Sequence, residues 1–127
     1  MLNPLVSWYE NWLTEKIREY GSHKAFITEV TNKGIENYLS LEEIRELYTK
    51  FPDGVWEIVQ EDMEELDYGG IGSYLSACYR EPKTRAEFEF MMALLALEIL
   101  LRRELLTVEA RSDYFDSVFM QARKKKR

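Results

Sequence analysis

The sequence predicts an all-α protein: a single-domain bundle of about five to six helices around a central hydrophobic helix at residues 84–110. Three observations carry this. Ser40-Leu41-Glu42-Glu43 and Thr84-Arg85-Ala86-Glu87 are both capping boxes, in which a hydroxyl takes an amide three residues on and the glutamate reaches back. Apolar residues recur at spacings of three and four through most of the chain. Between Phe88 and Leu101 nearly every residue is apolar, so that helix must be covered on most sides.

The elements follow in order. Asn3-Pro4 reads as an N-cap with proline at the first helical position, and Leu5, Trp8, Tyr9, Trp12, Leu13, Ile17 and Tyr20 then keep helical spacing up to Gly21. Ser22 can cap a short second helix with Ala25, Phe26 and Val30 inward, Gly34 at its end and Ile35 packing back on Val30. Residues 25–30, AFITEV, suit a strand equally well by their branched and aromatic content. The Ser40 box opens a helix whose apolar face is Leu41, Ile44, Leu47, Tyr48 and Phe51. Pro52-Asp53-Gly54 breaks it and offers Asp53 as the next cap, after which Val55, Trp56, Val59, Met63 and Leu66 carry the period to Tyr68. Gly69, Gly70 and Gly72 end that helix, and Ser73 starts a shorter one through Tyr74, Leu75, Cys78 and Tyr79, stopped near Pro82. Beyond the central helix, Ser112 caps a last one with Phe115, Val118, Phe119 and Ala122 inward, closing a domain at residues 1–122.

The chain has 127 residues, 46% of them hydrophobic and 13% aromatic, which is enough for a core in one domain. Its formal charge is −6, yet Arg123, Lys124, Lys125, Lys126 and Arg127 form an unbroken basic run. Without those five, residues 1–122 carry 12 basic against 23 acidic side chains, so an acidic body bears a basic tail. One cysteine cannot form an intramolecular disulfide, and the N-terminus lacks signal-peptide form, so a reducing, cytoplasmic setting is expected. The apolar run ending at Leu101 is interrupted by Glu98 and too short for a membrane span.

The strongest local anomaly is Phe51–Tyr79, which has no lysine or arginine and seven carboxylates in 29 residues. Glu57, Glu61, Glu64 and Glu65 fall on one helical ridge, with Asp62 and Asp67 beside it. Like charges at such spacing destabilise a helix by a few tenths of a kcal/mol per pair. The ridge is either a solvated face or a docking surface for a basic partner. Regularly spaced carboxylates can mimic a phosphate backbone, and long-range attraction speeds encounter. GGIGS does not suit phosphate: it has no Walker lysine, and Glu64, Glu65 and Asp67 would repel an anion by about 1 kcal/mol per charge at 4 Å even in water. Those glycines read as a helix end and a tight reversal. Counted from Asp62, the calcium-loop pattern fails at Leu66 and Asp67, so no metal site is expected.

Catalysis finds few tools here. His23 and Cys78 are the one histidine and one cysteine, too few for zinc, and Cys78 reads as a small core residue. Glu98 could be desolvated into a general acid or base, but Arg102 stands four residues on in the favourable order for a helical ion pair. Trp8 and Trp12 share a stripe while Tyr9 lies about 100° round from Trp8, so an exposed aromatic edge would serve a homodimer or partner contact. No catalytic residue and no cofactor is therefore expected. The expected function is that of a small non-catalytic regulator or inhibitor, of the kind phages and mobile elements encode. It would dock Glu57, Glu61, Asp62, Glu64, Glu65 and Asp67 on a basic, nucleic-acid-handling protein. The rival expectation is weak, salt-sensitive nucleic-acid binding through Arg123, Lys124, Lys125, Lys126 and Arg127.

Overall fold

Asn3 begins the fold by capping it: its Oδ1 accepts the Leu5 amide at 2.9 Å, Pro4 takes the first helical position, and α1 runs Pro4–Tyr20. The computed structural model describes residues 3–107, and the side chains of residues 3–103. Gly21 ends α1 in the left-handed region at φ 81°, with its amide on the Ile17 carbonyl.

Residues 25–30 are helical. Ser22 accepts the Ala25 amide at 3.0 Å and opens α2, His23–Lys33, which buries Phe26, Ile27 and Val30 while Ala25 stays exposed. The cap and the three-residue apolar period outweigh the strand preference of the individual side chains. Gly34, at φ 92°, turns the chain into a short 3₁₀ segment, Ile35–Asn37, that buries Ile35.

In α3, Leu41–Lys50, both arms of the Ser40 box form at 3.0 Å. Ile44, Leu47 and Tyr48 are buried, but Leu41, in the first turn, is 66% exposed. One residue, Phe51, separates α3 from α4, Pro52–Glu65. Proline here starts a helix as its first residue, so Asp53 lies inside the first turn and caps nothing. Gly54 is buried because Asn3 leans on it: Asn3 Nδ2 donates to the Gly54 carbonyl at 3.0 Å, and a side chain at Gly54 would collide with the Asn3 amide. Trp56 Nε1 donates to Tyr48 Oη at 2.8 Å and ties α4 to α3.

The end of α4 departs from expectation in a specific way. The left-handed residue is Asp67, at φ 60°, and none of Gly69, Gly70 or Gly72 has positive φ. Tyr68 donates its amide to the Met63 carbonyl at 2.9 Å and Asp67 donates to Glu64 at 3.1 Å, which is the Schellman pair. Asp67 therefore carries a backbone cost, and its charge faces the negative end of the helix dipole. Asp67→Gly should raise stability by about 1 kcal/mol, read as a higher urea midpoint at unchanged slope. A lower midpoint would show that the Asp67 side chain holds this turn together.

Gly70 precedes α5, Ile71–Cys78, which starts two residues ahead of Ser73. Thr84 Oγ1 accepts the Glu87 amide at 3.1 Å and opens α6, Arg85–Thr107. The return arm of that box lands one residue early, since Glu87 accepts from the Lys83 amide and also pairs with Arg80 at 3.0 Å. Met91 to Leu97 are all buried, as are Ile99, Leu100 and Leu101, and α6 packs against α1, α2, the 3₁₀ turn and most extensively α3 and α4. It is the central helix, and its all-round apolarity is explained by helices on several sides. Among the described residues there are six α-helices and no strand, and no helix is long and apolar enough to cross a membrane. The expected end of the central helix at 110, the helix after Ser112 and the basic run 123–127 lie outside the described residues.

Candidate functional site

The acidic face of α4 is built by helical phase. Val55, Ile58, Val59 and Asp62 share the core-facing stripe, while Glu57, Glu61, Glu64 and Glu65 point outward and Asp67 stands exposed at the turn beyond. Four of the five are unopposed: among the described residues Glu57, Glu64, Glu65 and Asp67 form no ion pair, and Glu64 only accepts a 3.3 Å hydrogen bond from Gln60. Glu61 is reached by Arg103 of α6 at 3.3 Å, both side chains being solvated, so that pair adds little. Leu66, expected on the inner face, is 49% exposed because the helix has ended by that point.

Asp62 does not belong to this face. It is 9% exposed and sits on the inner stripe, four residues after Ile58 and three after Val59. Its Oδ2 accepts the Tyr74 hydroxyl of α5 and the Arg102 guanidinium of α6, the latter at 3.3 Å. A carboxylate on a core stripe must be paired to remain there, and this one joins three helices. Burial, reinforced by Asp62, pushes the Tyr74 phenol well above its ordinary range, so it stays a donor. Arg102 would lose proton affinity by burial, but Tyr74 and Asp62 outweigh this and raise it.

With Arg102 committed to Asp62, the expected Glu98–Arg102 pair does not form. Glu98 Oε2 instead accepts the Tyr79 hydroxyl at 2.6 Å, from just beyond α5. Burial raises the Glu98 pKa; the Tyr79 hydrogen bond opposes this, and the nearby Glu36 charge adds to it. Nor do the described residues fill the space beside Glu98. A cleft of about 210 Å³ opens there between α2 and α6.

Other expected participants are placed as follows. Cys78 is exposed rather than in the core, and partial desolvation, with Glu98 and Asp62 adding to it, raises its thiol pKa, which leaves it a weak nucleophile. Tyr9 and Trp12 are buried, so of these three aromatic residues the partly exposed one is Trp8, stacked on Trp12 at 6.3 Å. Among the described residues no three of His, Cys, Asp and Glu are grouped to hold a metal ion. The two tyrosine–carboxylate bonds escaped sequence reasoning because each joins different helices. Only Asp62 left a trace, its spacing from Ile58 and Val59 marking an inward position.

Fold and site together define a helical protein with an exposed acidic face, largely unopposed among the described residues, and a separate buried polar network. Comparison with known protein families, with curated proteins and with solved structures finds no match.

Proposed function

We propose that this chain is a non-catalytic binding protein that docks the outer face of α4 on a basic partner protein, as a regulator or inhibitor would. The observation supporting this is the composition of the face: Glu57, Glu64, Glu65 and Asp67 are exposed and, among the described residues, without ion pairs, while Asp62, held in the buried network, is withdrawn from it. Maintaining like charges along one ridge costs helix stability, and an interface with complementary charge recovers that cost while accelerating encounter. A surface that reads phosphates, such as that of a nucleic-acid-handling protein, has the right sign and spacing to meet it.

The test is capture from nuclease-treated native lysate with the full chain tagged at its N-terminus, washed in a salt series. A basic protein should be retained through moderate salt. Glu57→Lys with Glu64→Lys should weaken its binding by about 100-fold or more, because like charges then face each other, while unfolding free energy changes by no more than about 0.5 kcal/mol. Unchanged affinity in that variant would refute the reading. Retention of nucleic acid when nuclease is omitted, lost on removing residues 123–127, would replace it with binding through Arg123 to Arg127.

A further inference from the structure

The cleft beside Glu98 has a chemistry of its own. Val30, Ile35 and Leu101 make its apolar wall, and Thr31, Glu98 and Arg102 are its polar lining. Arg102 is the one cation among the described residues that line it, and Asp62 already engages it. What is left over includes an unneutralised carboxylate oxygen and a hydroxyl. Among the described residues Glu98 forms no ion pair and uses only Oε2, on Tyr79, so Oε1 is open. Thr31 Oγ1 is buried and has no hydrogen-bond partner. Gly34 also lines the cleft, and the Glu36 carboxylate lies against Gly34, its Oε1 2.7 Å from where a Gly34 Cβ would stand. A carboxylate with one open oxygen and no counter-ion among the described residues, a second carboxylate close by and an unpartnered hydroxyl beside an apolar wall describe half of a recognition site.

We propose that this cleft binds a primary alkylammonium group, with the –NH₃⁺ on Glu98 and Thr31 and the alkyl stem against Val30, Ile35 and Leu101. An ammonium offers three donors and one positive charge, which answers the open Glu98 oxygen and its unneutralised charge. At about 210 Å³ the cleft is below the size that takes drug-sized ligands and suits a short unbranched stem. The same chemistry is offered by a free alkylamine and by the lysine side chain of a protein. The site does not use the α4 ridge and stands independently of it.

The experiment is a ¹⁵N–¹H titration of the full chain, in low salt and above the pH at which Glu98 titrates. The probes are n-butylammonium, Nα-acetyl-lysine amide, tetramethylammonium and butyrate. Butylammonium should shift the amides around Thr31, Gly34 and Leu101 with a Kd on the order of 1 mM. Tetramethylammonium, which has charge but no N–H, and butyrate, which has the wrong sign, should not. Glu98→Gln should weaken binding about tenfold, and Thr31→Val should weaken it less. The neutral amide suits a site whose burial already disfavours the charge, so Glu98→Gln should keep its melting temperature. Glu57→Lys with Glu64→Lys should leave the cleft shifts intact. Tighter binding of the lysine probe would assign the ligand to a protein side chain, and tighter binding of butylammonium to a free amine. Shifts spread along α4, an equal response to tetramethylammonium, or undiminished binding in both Glu98→Gln and Thr31→Val would overturn the proposal.

Discussion

Phe26→Ala should destabilise the protein by about 3–5 kcal/mol, the range for deleting a buried aromatic ring that neighbours cannot replace. Phe26 is fully buried, and its ring meets Tyr20 at 5.0 Å, Trp12 at 5.5 Å and Tyr38 at 5.5 Å. Those partners come from α1 and from just after the 3₁₀ turn, so the ring joins α2 to both neighbours in sequence. A domain of this size has about 5–15 kcal/mol in total, so the loss should remove a large part of it and lower the urea midpoint at constant slope. Tyr20→Ala supplies the control. Tyr20 is 38% exposed and packs on the same ring from outside, so its loss should cost about 1 kcal/mol. Equal effects at the two positions would mean that Phe26 does not occupy the centre of this cluster.

Asp62→Ala is expected to cost about 2–4 kcal/mol, far more than any other carboxylate of α4. The change leaves the Tyr74 hydroxyl without its acceptor and Arg102 without its counter-ion. The Arg102 side chain is 40% exposed and can partly turn to water, which holds the cost below that of an entirely buried charge. Asp62→Asn, which keeps an acceptor for Tyr74 but no charge for Arg102, should fall between Ala and wild type. Combining Asp62→Ala with Arg102→Met should recover part of the loss, since the orphaned cation is then gone. Glu64→Ala should stay within about 0.5 kcal/mol. If Asp62→Ala were as mild as Glu64→Ala, the buried network would be no more than a surface pair. The contrast also separates the two kinds of carboxylate on one helix: Asp62 should affect folding and not partner binding, and the outer ridge the reverse.

The helical class and most helix starts were legible because the signals that set them are local. A capping hydroxyl reaches an amide three residues away, so Ser22, Ser40 and Thr84 mark their helices whatever packs later. The apolar stretch of α6 likewise states by itself that other elements must cover it. Errors arose where two readings of a local signal compete. Pro52 reads as a helix breaker and serves as a helix start, and three nearby glycines drew attention from Asp67, which takes the left-handed position. On α4 the inner stripe reads differently once Ile58 is counted, and Asp62 then falls on it beside Val55 and Val59.

The sequence by itself determined an all-α chain, a central hydrophobic helix and an acidic stretch without internal counter-ions, because composition, caps and helical period act within a few residues. Tertiary structure alone decided which carboxylate is buried and which are exposed, which partner Arg102 takes, and that a cleft stands beside Glu98. Arg102 could meet Glu98 one turn away on its own helix, but α4 brings Asp62 to it across 40 positions of sequence, and Tyr74 of α5 and Tyr79 just beyond it each reach one acid. Such pairings depend on how helices cross. A buried polar group takes whichever partner the packing delivers, and helical spacing alone carries no record of that choice.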